Sequence, residues 1–273
     1  MPPITLALCL KGAWRDTWRS ITTMRRLSFL LLLATLAASW STDVLHIGFS
    51  SGAHSNLSSH DALVHAIASV AVLMALSVVG AFFAIRVINF SLAGHHNTTP
   101  RGALLSYLWL IGIWCVIGIS IIFLLCAGLV GLTYLLRHAG ASVRSSAIAL
   151  FFLLAVATAI ASIGSLIYTR LCILFPHVAQ GGKISWQLAW ADTRGQSWVL
   201  TGINSLCTLP ALVLSTIFSM LRFHLATAGS IYGWSYTLTA LISSILAVIY
   251  ATNSATCAAW IYRRCSKNLM LNT

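Results

Sequence analysis

Six side chains able to bind a metal crowd into 23 residues: Asp43, His46, His54, His60, Asp61 and His65. That is dense for a chain with only four acidic residues and nine histidines in 273. Imidazole and carboxylate together suit zinc, copper or nickel, which makes His46, His54, His60, Asp61 and His65 the candidate metal ligands. Their spacing matches no closed zinc site. His46 and His65 fit equally well as polar residues at the wet ends of neighbouring helices. As a pair they also fit the axial ligands of a b-type haem, but nothing else marks a haem pocket. No cofactor is expected.

The second chemical set is cationic. Arg86 with Asn89 stands near the end of an apolar run, and Arg170 ends another. With Arg101, Lys183 and Arg194 they compose a candidate site for an anion or a phospholipid headgroup, to which Arg15 and Arg19 add an N-terminal pair. The plainer reading is that these long side chains snorkel to the headgroup layer. Thr201, Asn204, Thr252, Asn253, Ser254 and Thr256 put polar atoms into apolar runs, either as interhelical hydrogen bonds or as a polar transport path. Catalysis has little to work with. The chain lacks Glu, a GxSxG elbow, an HExxH pair and a phosphate-binding glycine loop, and no acid lies in mid-span. The expectation is a protein without enzymatic activity.

Whatever these residues do, apolar segments position them. The chain is 59% hydrophobic and 7% charged, a composition that cannot solvate a soluble surface but suits a bilayer. Six spans are expected, at about 27–47, 62–92, 104–136, 147–169, 198–221 and 236–262, in one integral membrane domain over 1–273. Pro210 should kink the fifth span. Residues 4–26 and 170–197, rich in Trp and Arg, read as interfacial segments. The seven cysteines lie in or beside apolar runs without a CxxC and read as small buried hydrophobes. Small residues recur every fourth position at Ala157, Ala161 and Ser165 and at Ala251, Ala255 and Ala259, a spacing that lets membrane helices approach closely. The expected fold is an all-α polytopic bundle of about six transmembrane helices with two amphipathic interfacial helices on the cytoplasmic face.

Orientation follows from the cations. With both termini inside, the inner side holds Lys11, Arg15, Arg19, Arg25, Arg26, Arg86, Arg101, Arg170, Lys183, Arg194, Arg263, Arg264 and Lys267. The outer side keeps Arg137, Arg144 and Arg222. The bias predicts cytoplasmic termini. The formal charge of +12 is then matched by anionic lipid rather than by nucleic acid.

Ala13-Trp14-Arg15-Asp16-Thr17 recurs as Ala189-Trp190-Ala191-Asp192-Thr193, with Trp18 and Trp186 as second tryptophans. Two readings stay open: a diverged duplication, or the repeated use of Trp, Arg and small residues where a helix rests on headgroups. Asp16 and Asp192 are expected to pair with nearby arginines such as Arg19 and Arg194. The second copy belongs to a longer run, Arg170-Leu171, Phe175-Pro176, Ile184-Ser185-Trp186, Ala189-Trp190, Thr193-Arg194-Gly195 and Trp198-Val199-Leu200. This run, over about residues 168–202, resembles uncharacterised bacterial multi-span proteins similar to the membrane domain of some glycerophosphoryl diester phosphodiesterases. The resemblance implies a helical bundle in a bacterial inner membrane. It carries over no diesterase activity, because the soluble catalytic domain is absent from the chain.

The function expected from these features is interaction with membrane lipids or other membrane proteins. A small-solute or lipid transporter is the alternative, and a metal- or haem-binding accessory subunit the second. Elemental analysis and one absorbance spectrum of the purified protein separate the last of these: no stoichiometric metal and no Soret band are expected, and either one would assign the histidine-rich loop.

Overall fold

In the computed structural model, residues 6–51, 59–93, 102–138, 155–156, 158–159, 162–228, 233–266 and 269 are described. Every regular element among them is an α-helix: α1 (Leu6–Thr23), α2 (Arg25–Ser51), α3 (Ser59–Ala93), α4 (Ala103–His138), α5 (162–171), α6 (Leu174–Ala179), α7 (Trp186–Asp192), α8 (Ser197–Thr227) and α9 (Trp234–Cys265). Five described stretches, in α3, α4, α5 with α6, α8 and α9, are long and apolar enough to cross a membrane. The bent pair α1–α2 supplies a sixth if it counts as one span. The chain is thus an all-α polytopic bundle. With 35 and 36 residues, α3 and α4 rise about 50 Å. The hydrocarbon core is about 30 Å thick, so they tilt or project beyond it.

One helix organises the others. In α9, 44% of the apolar window is buried, against 11% in α3 and 17% in α8, and α9 touches α1, α2, α3, α6 and α8. Its composition explains the place it takes. Thr239, Ser243, Thr252, Asn253 and Thr256 interrupt its alanines, and lipid offers such groups no partner. They are all buried. Three of the hydroxyls donate to carbonyls one turn back, Thr239 to Tyr236 at 2.8 Å, Ser243 to Ala240 at 3.0 Å and Thr252 to Val248 at 2.7 Å. By contrast α3 turns Val70, Leu73, Met74 and Val78 outward, as a lipid-facing helix should.

The chain bends by 93° at the α1–α2 break, so α1 runs roughly at right angles to α2. Its helical period separates two faces. Cys9, Ala13, Thr17 and Ser20 are buried, while Lys11, Arg15, Trp18 and Arg19 point outward. The buried stripe rests on α8 and α9. Gly12 makes that approach possible, since a Cβ there would lie 2.5 Å from the Trp260 ring. Next to it the Thr17 and Thr256 hydroxyls meet at 2.9 Å, Thr17 lies 3.3 Å from Asn253 Oδ1, and Asn253 Nδ2 donates to the Cys207 carbonyl of α8. Three helices are tied at one point. Cys9, Cys172, Cys207, Cys257 and Cys265 pack together in the apolar core around it.

The segment 170–197 does not lie wholly on the surface as expected. Residues Cys172, Ile173, Leu174, Pro176, His177, Val178 and Ala179 are buried. They turn into the bundle, where His177 Nδ1 and the Tyr262 hydroxyl stand 3.2 Å apart. The run from Leu171 to Ala179 holds one ionisable imidazole among apolar side chains, so the bundle interior suits it better than the headgroup layer. Gly181, at φ 91°, reverses the chain after it. In α7, Trp190 is exposed and Ala189 is buried. Pro210 is exposed within α8, which continues through it without a break.

Replacing Asn253 by Leu should remove its links to the Thr17 hydroxyl and to the Cys207 carbonyl and loosen the hold of α9 on α1 and α8. The expected cost is about 1–2 kcal/mol, read as a lower thermal midpoint in detergent. Gly12→Leu should lower it further by overpacking against Trp260. Unchanged midpoints for both variants would mean that this junction does not hold the bundle.

Candidate functional site

The two Ala-Trp-x-Asp-Thr segments do the same work in the fold. In the first, Ala13 and Thr17 are fully buried and the Thr17 hydroxyl donates to the Ala13 carbonyl at 2.8 Å. In the second, Ala189 and Thr193 are fully buried and Thr193 donates to the Ala189 carbonyl at 2.9 Å. Each aspartate then accepts an N–H from the C-terminal part of the chain. Asp16 Oδ2 receives the Trp260 indole at 2.8 Å, and Asp192 Oδ2 receives the Leu269 backbone amide at 3.1 Å. Headgroup contact requires neither the buried Thr nor the captured N–H, so the recurrence is structural as well as compositional. Asp16 takes a nearby arginine, as expected, although a different neighbour on its helix. Asp16 pairs with Arg15 at 3.7 Å rather than with Arg19, and Asp192 holds the backbone of Leu269. Beyond that local pair, both carboxylates reach N–H groups from the C-terminal part of the chain.

Around the first copy, three helices form a pocket of about 180 Å3. Arg15, Asp16 and Arg19 come from α1, Phe90 and Ser91 from the last turn of α3, and Trp260 and Arg263 from the end of α9. Arg263 Nη2 donates to the Leu92 carbonyl at 2.9 Å and to that of Ser91, satisfying acceptors that the end of a helix leaves open. The Arg19 guanidinium stands over the Phe90 ring at 5.7 Å, and Arg264 over Trp260 at 5.7 Å. Three guanidinium groups therefore surround one carboxylate. That carboxylate is divided between Trp260 and Arg15, whose side chain is 74% exposed and so only weakly paired. The Ser91 hydroxyl, on a residue 7% exposed, has no hydrogen-bond partner among the described residues. The arrangement is cationic, concave and equipped with a free hydroxyl. Chemically it can accept an oxyanion.

The other cations named from the sequence are placed apart from this pocket's lining. Arg86 stands over Phe82 at 5.4 Å. Arg170 stacks on Trp190 at 4.3 Å and donates its Nε to Ser197 Oγ at 2.6 Å. Lys183 and Arg194 are exposed, and Arg101 lies outside the described residues. Trp14 and Trp186 are half-buried, and Trp18 is exposed. Of the metal candidates, His54 lies outside the described residues, as do the side chains of His46, His60, Asp61 and His65. Of the polar residues offered for a transport path, Asn253 is fully buried in the α1–α8–α9 junction, while Asn204 is half-buried on α8. Sequence reasoning missed Ser91, Trp260 and Arg263. Arg263 entered only as a charge for orientation, and Trp260 meets Asp16 across 244 positions, a separation that no local pattern reports.

Fold and site together define a helical multi-pass membrane protein with a basic, pocketed end. No family model, curated protein or solved structure matches the chain.

Because both aspartates hold C-terminal groups in the same way, Asp16→Ala and Asp192→Ala should each cost about 1–2 kcal/mol through a lost charge-assisted hydrogen bond. Unfolding of each variant in detergent checks this. A loss confined to one of the two would break the equivalence of the copies.

Proposed function

We propose that this chain is a non-enzymatic membrane protein that binds the anionic headgroups of membrane lipids at the pocket formed by Arg15, Arg19, Ser91 and Arg263, on its cytoplasmic face. One observation carries the proposal: among the described residues, three guanidinium groups converge on a small concavity beside an unpartnered hydroxyl on a buried serine, with a single, already engaged carboxylate in the lining. Arginine binds phosphate oxygens in pairs and keeps its charge at any physiological pH. The exposed Trp18 of the same helix is suited to the headgroup level. The cytoplasmic assignment is supported by the excess of Lys and Arg on that side, and a bacterial inner membrane by the resemblance over residues 168–202. Binding here would fasten α1, α3 and α9 to one lipid.

Native mass spectrometry of protein released gently from its own membrane tests this. Wild type should retain anionic phospholipid. The double variant Arg15→Gln/Arg19→Gln should lose at least tenfold in retention, whereas Arg222→Gln, on the far part of α8, should behave as wild type. Titration with inorganic phosphate distinguishes a headgroup from a free anion, since only the latter would bind without its lipid. Wild-type protein that carries no anionic lipid, or variants that carry as much, would defeat the proposal.

A further inference from the structure

A second concavity, of about 330 Å3, lies among α3, α4, α5, α6 and α9, away from the arginines. Two rows of small residues face it, Gly80, Ala81 and Ala84 on α3 and Ala251, Ala255 and Ala258 on α9. Small residues at helical spacing usually draw helix backbones together, but here they leave room. One wall is aromatic. Tyr107 packs edge-on against Phe175 at 5.2 Å, and Phe175 lies 6.5 Å from Tyr168. Five hydroxyls, those of Tyr107, Tyr168, Tyr250, Ser77 and Ser254, belong to the lining, and no Arg, Lys, His or Asp does. Tyr107 is 6% exposed, and its hydroxyl makes no hydrogen bond among the described residues.

The place of the cavity narrows its ligand. Its deep end, at Ile88 and Ala258, is buried, whereas Ser77, Gly80 and Tyr250 at the other end are half-buried. Ser77 is about 16 Å along α3 from Ile88 and lies within the apolar stretch Ile67–Leu92. A ligand therefore arrives from the hydrocarbon. Such a ligand carries no net charge. It is ring-shaped enough to lie against Tyr107 and Phe175, and it offers acceptors to hydroxyl donors. Ser77 already donates to the Leu73 carbonyl at 2.8 Å, but an acyl chain would leave the buried Tyr107 hydroxyl unused, at a cost. A cavity of about 150 Å3 takes benzene, so this one has room for a substituted ring.

We propose that this cavity binds the head ring of a lipid-soluble quinone, its carbonyl oxygens accepting from Tyr107 and from one of the hydroxyls opposite. The proposal concerns binding alone and stands apart from the arginine pocket.

Delipidated protein in mild detergent is titrated with a short-tailed benzoquinone, and protein purified from its native membrane is extracted with solvent and analysed for quinone by chromatography. Wild type should bind the probe saturably and retain extractable quinone. Tyr107→Phe, which removes one oxygen and keeps the ring, should weaken the titrated affinity about tenfold, the effect of one lost hydrogen bond. Ala84→Leu, which fills the space, should abolish binding. If Ala84→Leu fails to fold, the Tyr107→Phe titration decides by itself. Equal affinity in wild type and Tyr107→Phe, or a cavity that retains only phospholipid and releases none of it to the probe, would overturn the assignment.

Discussion

Hydrocarbon cannot receive a hydrogen bond, and the arrangement of this bundle depends on how α9 answers that constraint. Its Ser, Thr and Asn side chains would be costly against lipid, so the helix takes the centre and the more apolar α3, α4 and α8 take the outside. Once α9 is central, its groups have two outlets: a carbonyl one turn back on the same helix, or a neighbour. Thr239, Ser243 and Thr252 use the first. Asn253, Thr256 and Trp260 use the second, and in doing so they fix where α1 and α8 must lie. Each interhelical hydrogen bond in a membrane contributes only about 0.6 kcal/mol on average. Their larger effect is on geometry, because few other relative positions of the three helices would satisfy them together.

The two Ala-Trp-x-Asp-Thr segments extend the same logic to the end of the bundle. In each, the alanine permits close contact, the threonine closes its own turn, and the aspartate takes an N–H contributed by the end of α9 or by Leu269, four residues beyond it. Between them Arg15, Trp190 and Ala191 are exposed and Trp14 is half-buried. This division explains how one short pattern serves packing on one side and an ionic surface on the other. It also explains why the arginine pocket forms at α1: Asp16 is held by Trp260 and pairs with Arg15, so one carboxylate stands among three guanidinium groups.

The fold class was legible because composition alone dictates it. The spans near 62–92, 104–136, 198–221 and 236–262 correspond to α3, α4, α8 and α9, since uninterrupted apolar runs have one stable form in lipid. Residues 170–182 were harder. Pro176, Gly181 and Gly182 signal a break, but whether a broken segment lies on the surface or turns inward depends on the space that other helices leave. The arginine pocket was half legible. Arg15 and Arg19 stood out as cations on one helical face, whereas Ser91 and Arg263 join them only through the crossing of α3 and α9. The recurring pentapeptide was visible as a pattern, yet its meaning required seeing that one aspartate reaches the end of α9 and the other Leu269 just after it.

The separation between Asp16 and Trp260, 244 positions, bears on how the chain is made. Contacts so distant in sequence form late. Helix α1 is synthesised long before α9, and during that interval its small-residue face, Gly12, Ala13 and Thr17, has no docking site. The closure of α1 onto α9 therefore waits on the last span of the chain, and the first helix made is among the last to find its partners.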